Sequence, residues 1–379
     1  MSHRRTRKRT LSARRPRFAV LMLPALLLVT SACMSTQRQA RQEAAERWNQ
    51  VRAEVKAKLA SDQLAAGHVD DAATQLAAAL RLDPANPELL TLQARVHLAR
   101  GDHRAAQRLL EGIEAEGKLQ AEINYLLGII QQQRLHWDEA LNHFARAASG
   151  DPGEVAYVVA VVQNMLQLGE AQEALALLHS HEDEFGWTEA YHAAVAECCE
   201  QLEDWSAAAA AWEKVAGANA PPAVRERLAM ALYRCERWPE AIAHLQRLLD
   251  EPEVHPIAPL RLALAQCLLE THQPAAAQEQ VSRVLREHPQ NATALRLLAH
   301  VFARQEQFER ARRTAERALR LEPDSPHALE LVAALAYQAG DKARACLLAE
   351  RIQQSFPDLD SPVARQILAE VSAAPSETQ

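Results

Sequence analysis

The residues of this chain that could do chemistry are few, and their spacing works against it. His181-Glu182-Asp183-Glu184-Phe185 begins like the helix of a zinc protease, but the second His that such a site needs one turn later is Phe185. His179 lies two residues from His181, on a different face of any helix, which further weakens a metal site. Glu197, Glu200 and Glu226 form the one carboxylate cluster worth singling out, as a solvated acidic face or a ligand-contacting patch. No glycine-rich phosphate loop, G-x-S-x-G elbow or S-x-x-K pair occurs. Cys198, Cys199, Cys235, Cys267 and Cys346 contain no C-x-x-C pair and make an odd number, so they are expected to be packing thiols rather than a disulfide framework. No catalytic residue, metal site or cofactor is expected, which leaves binding as the work to be explained.

One further cysteine has a different setting. Residues 1–17 carry eight basic residues and no acid, and an apolar run from Phe18 to Val29 leads to Thr30-Ser31-Ala32-Cys33. A charged start, a short apolar centre and small residues before a cut make a secretory signal peptide, assigned to 1–32. Ser31-Ala32-Cys33 resembles the lipobox of bacterial lipoproteins, in which the cysteine becomes the first mature residue and carries lipid. The resemblance departs at Thr30, where Leu is usual, and Ala32 would also suit ordinary signal peptidase. It implies lipidation at Cys33, and Met34 rather than Asp after it implies an outer-membrane lipoprotein facing the periplasm. The alternative is a soluble periplasmic or secreted protein.

Charge follows from that division. The chain of 379 residues has a net charge of −7, but removing 1–32 takes eight of 42 basic residues and none of 49 acidic ones, leaving −15. A nucleic-acid footprint needs a basic face, so no nucleic-acid partner is expected, and lipid at Cys33 is the expected route to a membrane. Aromatic residues are 4% and Gly only 11, against 48% hydrophobic residues rich in Ala and Leu, which excludes sandwich and barrel folds and points to helix.

The elements that position all of these residues repeat. Segments beginning at Ala53, Pro87, Ala121, Val155, Glu189, Pro222, Ala258, Ala292 and Pro326 are 34 residues apart, except for one step of 33 and one of 36 near His255-Pro256. Their twentieth position is Ala every time: Ala72, Ala106, Ala140, Ala174, Ala208, Ala241, Ala277, Ala311 and Ala345. Their eighth is small in eight of nine copies, Val162 being the exception. Small side chains in these columns let two antiparallel helices approach closely, with turns at Gly67, Gly101, Gly169 and Gly340. Pro84, Pro152, Pro289, Pro323 and Pro357 end the second helix of their copies.

Leu127-Gly128, Trp137, Ala140, Phe144, Ala147 and Pro152 carry the spacing of the tetratricopeptide pattern, and the chain resembles that family over residues 53–359. The resemblance implies an all-α fold, a right-handed α-solenoid of about nine helix hairpins with capping helices, whose first helices line a groove that binds protein or peptide partners. It places Arg95, Tyr125, Gln132, Gln163, Glu197, Glu200, Glu226, Met230, Tyr233, Gln266, Arg296, His300 and Tyr337 on that groove. Ala57 and Ser61 stand where family members that clamp a peptide carboxylate carry Lys and Asn, so that subclass is not expected. Ala44, Trp48, Val51 and Val55 are spaced for an amphipathic helix over 40–52 that would pack on the first copy, within a tether and cap over 33–52. Ser361-Pro362 starts a closing helix in 360–379, with Val363, Ile367 and Val371 facing the last copy. The implied function is a non-enzymatic scaffold at the bacterial envelope, in assembly of a pilus, secretion or outer-membrane complex.

Overall fold

The computed structural model describes residues 19–217, 220–251 and 257–373, and for 19–39 and 371–373 it describes the backbone alone. The basic stretch that begins the expected signal peptide, the side chain of Cys33, the His255-Pro256 irregularity and the tail 374–379 lie outside the described residues or side chains. Every regular element among the described residues is helical. The chain forms two compact units, Met1–Asp151 and Pro152–Gln379.

The first unit contains α1 (Ala19–Ala65), α2 (Val69–Leu80), α3 (Pro87–Ala99), α4 (His103–Glu111), α5 (Gly117–Gln133) and α6 (Trp137–Gly150). The second contains α7 (Val155–Leu168), α8 (Ala171–Ser180), the single turn α9 (Glu182–Phe185), α10 (Glu189–Gln201), α11 (Trp205–Val215), α12 (Pro222–Arg234) and α13 (Trp238–Leu249). It continues through α14 (Ile257–Glu270), α15 (Pro274–Glu287), α16 (Ala292–Arg304), α17 (Phe308–Leu321), α18 (Pro326–Gln338), α19 (Lys342–Ser355) and α20 (Pro362–Ala373). Within each unit consecutive helices pack as antiparallel hairpins, and each hairpin packs on the next, which is the tetratricopeptide α-solenoid arrangement.

The column of nine alanines explains the pairing. All nine are fully buried, as are their eighth-position partners from Ala60 to Ala333, Val162 included. Gly128 shows how tight the contact is: a Cβ there would lie 2.6 Å from Cδ1 and Cε1 of the Phe144 ring, itself buried in the facing helix α6. Glycine at this position leaves room for the Phe144 ring to lie against the first helix, a contact that any side chain there would have to displace.

The turn between the paired helices is left-handed in all nine hairpins. Gly67, Gly101, Gly169 and Gly340 occupy it, but so do Leu135, Glu203, Glu236, His272 and Glu306, with φ between 58° and 63°. Only the glycines were legible as turns, because a side chain in this conformation costs about 1–2 kcal/mol and carries no sequence signature. The second helix then starts at once, in three hairpins with an aspartate cap: Asp102, Asp204 and Asp341 accept from the backbone N–H three residues on.

Two expectations at the termini fare differently. Residues 40–52 do not fold back as a separate cap: they continue α1 unbroken, and Trp48, Val51 and Val55 are exposed. The cause is that no Gly or Pro occurs between 25 and 66, so nothing turns the chain before Gly67. At the other end α20 does close the second unit. Ser361 Oγ accepts from the Ala364 N–H at 3.1 Å, and Ala364 and Ile367 are buried against α18 and α19. Val363 is partly buried beside them, and the side chain of Val371 lies outside the described ones.

Candidate functional site

Five of the residues expected on a groove converge in one cleft of the second unit. Met230 and Tyr233 come from α12, Gln266 from α14, and Arg296 and His300 from α16; Pro259, Leu262, Ala263 and Leu297 supply its apolar floor. Thr293 and His327 complete the lining of a cavity of about 450 Å³. That volume holds one or two large side chains of a bound segment rather than a whole domain.

The repeat pattern itself builds this cleft. Successive first helices present the same positions, so Met230, Gln266 and His300 are the ninth residues of three neighbouring copies. Small residues beneath them, Ala229, Ala265 and Ala299, are buried in the hairpin contacts and hold each first helix close to its partner. The polar groups of the cleft are unevenly committed. Gln266 Nε2 donates to Glu270 Oε1 at 2.8 Å, and Tyr233 stacks edge-on with Trp238 at 5.7 Å between centroids. Burial raises the Tyr233 phenol above its ordinary value, so it stays a neutral donor. Desolvation lowers the His300 imidazole below its ordinary value, and the nearby Arg296 and Arg304 guanidinium groups push it the same way, so it is neutral at pH 7. Arg296 has no carboxylate partner among the described residues, whereas Arg304 pairs with Glu270 at 3.8 Å.

The acidic cluster is reorganised by a residue the sequence did not single out. Arg227 on α12 donates to Glu197 at 2.8 Å and to Glu200 at 2.5 Å, and lies 4.9 Å from the Trp212 ring centroid. Trp212 Nε1 donates to the same Glu200 at 2.6 Å. Burial alone would lower the Arg227 pKa, but its bonds to Glu200 and Glu197 outweigh that and raise it. Glu197 and Glu200 therefore share one guanidinium in a network that joins α10, α11 and α12, and Glu226 has no bond to it. Arg227 is one of three arginines on α12, beside Arg225 and Arg234, and nothing local marks it out because its partners lie 27 and 30 residues away.

The remaining expected residues are scattered. Arg95 pairs with Glu122 at 2.8 Å, and the Tyr125 and Phe144 rings lie 5.8 Å apart, both in the first unit, where Gln132 is half-buried. Gln163 is exposed on α7, and Tyr337 donates to Glu370 of α20, which ties the closing helix to α18. The His181 run forms the α9 turn: His181 and Glu184 approach at 3.3 Å while Phe185 turns into the core. Cys198, Cys199 and Cys267 are buried free thiols, and burial pushes Cys198 and Cys267 up to about 12. Such thiols are poor nucleophiles. Among the described residues no group of His, Cys, Asp and Glu is arranged to hold a metal ion.

Family profiles settle what the hairpins are. One described as tetratricopeptide repeat matches residues 63–130, and another of the same description matches 200–256, 262–307 and 297–360. The chain belongs to the tetratricopeptide repeat family. Tetratricopeptide domains bind protein or peptide partners and are typically non-enzymatic scaffolds. No curated protein matches the chain. Among solved tetratricopeptide structures it is similar to PilW, described as a widely conserved type IV pilus biogenesis factor, at 17% identity and a TM-score of 0.47, covering 56% of this chain and 96% of that one. It is similar to PilF of Pseudomonas aeruginosa at 19% identity and 0.44, covering 58% and 98%. YrrB, described as having an unusual peptide-binding site, matches at 20% and 0.43, covering 49% and 95%. These likenesses are of fold.

Proposed function

We propose that this chain is a non-enzymatic tetratricopeptide scaffold, held at the bacterial outer membrane by lipid on Cys33 and facing the periplasm, that binds a protein segment in the α12–α14–α16 cleft. The observation that carries the binding reading is the cleft's chemistry. An apolar floor lies beneath a guanidinium without a carboxylate partner among the described residues, a neutral imidazole and a neutral phenol, which suits a segment offering an apolar side chain beside an acidic group. Anchorage at the membrane together with a protein-binding cleft is the plan of lipoproteins that assist assembly of pili, secretion pores or outer-membrane complexes, and we place the chain in that class. The anchor reading rests on the Ser31-Ala32-Cys33 lipobox after an apolar run.

A photo-crosslinking residue at Met230 is expected to capture a discrete partner in the producing cell, and Arg296→Asp to abolish that capture. Capture unaffected by Arg296→Asp together with Tyr233→Ala would remove the cleft from the binding surface. Fatty-acid labelling tests the anchor separately: the wild type should label and Cys33→Ser should not. An unlabelled wild type favours the second reading, a soluble periplasmic module, for which Thr30 and Ala32 speak.

A further inference from the structure

Position three of the first helix, with position seven one turn on, packs toward the preceding hairpin in most copies within a unit. At position three, Leu89 is 3% and Ile123 2% exposed within the first unit, and Tyr191, Leu260, Ala294 and Ala328 are equally buried in the second. The same two positions in α1 are Val55 and Leu59, and both stand in solvent, Val55 at 66%. Trp48 and Val51 extend the apolar line along the unbroken helix, with Trp48 64% exposed. A tryptophan and three aliphatic side chains in one stripe are more apolar surface than an isolated helix face leaves uncovered without reason.

The stripe has ends of opposite charge. Arg41, Ala44, Trp48, Val51, Val55, Leu59 and Asp62 follow one another in steps of three and four, so all seven lie on one face over a length of about 31 Å. Arg41 and Asp62 are exposed, and neither has an ion-pair partner among the described residues. Set antiparallel against itself, this face matches itself. Arg41 falls opposite Asp62 of the second copy, the small Ala44 opposite the larger Leu59, and the bulky Trp48 opposite Val55, with Val51 beside the two-fold axis. Set parallel, it stacks Arg41 on Arg41, Asp62 on Asp62 and Trp48 on Trp48. Charge and side-chain size therefore choose the same orientation.

We propose that two copies of this chain pair through α1, antiparallel about a two-fold axis near Val51. The contact is isologous, so it closes at two copies rather than growing into a filament. Val55 and Leu59 in its apolar stripe are the positions that later hairpins turn toward their predecessors, Trp48 and Val51 extend that stripe, and its charged ends fix the register.

The full-length chain in detergent solution is expected to sediment as a dimer, and Val55→Asp to raise the dimer dissociation constant more than about tenfold. Helix content, and the thermal midpoint at a dilution where both proteins are monomeric, should stay unchanged, because Val55 is 66% exposed in the monomer. Arg41→Asp should weaken the dimer about two- to fivefold, and Arg41→Asp with Asp62→Arg should restore it. A disulfide scan gives a readout independent of those variants: Ala44→Cys with Leu59→Cys should crosslink under mild oxidation, and either substitution alone should not. A monomeric wild type, a dimer that persists in Val55→Asp, or efficient crosslinking of Ala44→Cys alone would each overturn the proposal.

Discussion

The first hairpin of the first unit and the last hairpin of the second solve one problem in opposite ways. A hairpin with a neighbour on each side buries both outer faces, whereas one that starts or ends a stack has a face left over. At the C-terminal end α20 covers it: Ser361 caps the helix, Ala364 and Ile367 insert against α18 and α19, and Tyr337 reaches across to Glu370. At the N-terminal end α1 runs on past its hairpin and leaves Trp48, Val51, Val55 and Leu59 in solvent. The difference originates in punctuation. The chain turns at Pro357 and again at Ser361-Pro362, which folds the last segment back, whereas no breaker stands between 25 and 66. Periodic apolar residues alone do not make a cap; a turn must deliver them.

The largest effect should separate the two ends directly. Ile367 is 3% exposed, so Ile367→Ala removes buried methyl groups and leaves a cavity, and it should lower the stability of the second unit by about 2–4 kcal/mol. Val55→Ala, a deletion of similar kind on the uncovered end, should change the stability of the dilute monomer by no more than about 0.5 kcal/mol. Urea unfolding of both variants checks the contrast. Equal losses would mean that Val55 is buried in the monomer and that the ends are alike.

How much of this was legible before the structure depends on what a residue contacts. The Ala column and its small partners were plain because each contact lies within one hairpin and recurs every 34 residues, so nine copies report the same geometry. The cleft was half legible. The groove positions named Met230, Tyr233, Gln266, Arg296 and His300, but the same reasoning named Arg95 and Gln163, which the structure leaves elsewhere. Arg227 was missed because its role depends on Glu197, Glu200 and Trp212 from other helices, and a single cation carries no mark of the partners it will meet. The N-terminal cap failed for the complementary reason: its residues were rightly seen as one apolar face, but a face does not say what lies against it.

A smaller effect tests whether the ends differ only on their outer faces. The turn inside the first hairpin, at Gly67, and the turn inside the last, at Gly340, have φ of 80° and 82°. Gly67→Ala and Gly340→Ala should therefore each cost about 1 kcal/mol, alike at both ends, since neither added Cβ meets any atom and only the backbone conformation resists it. The converse applies at Leu135 and Glu236, which already bear that strain. Replacing either by Gly should stabilise the protein by up to about 1 kcal/mol, offset in part by the greater freedom of Gly in the unfolded chain. Thermal unfolding of the four variants decides it, and a loss on Leu135→Gly would show that the leucine side chain contributes more than its backbone costs.

The smallest effect concerns the tie that only the closed end possesses. The Tyr337 hydroxyl donates to Glu370, and this bond, with one from Gln366, holds the Glu370 carboxyl below its ordinary value of 4.5. A carboxyl depressed in the folded state contributes stability that is present in full above its unfolded value and is lost as pH falls through the lowered folded value. The docking of α20 should thus be independent of pH from neutrality down to about 4.5 and weaken only below it. The group is exposed, so the change is a local loosening of α20 rather than unfolding. Amide-exchange protection factors across α20 at pH 6 and pH 3.5 measure it, with Tyr337→Phe as the comparison at each pH. In Tyr337→Phe the acid-dependent loss should shrink, because the bond that depressed Glu370 is gone. An undiminished loss would assign the loosening to other carboxylates and leave the apolar contacts of Ala364 and Ile367 as the whole of what closes this end.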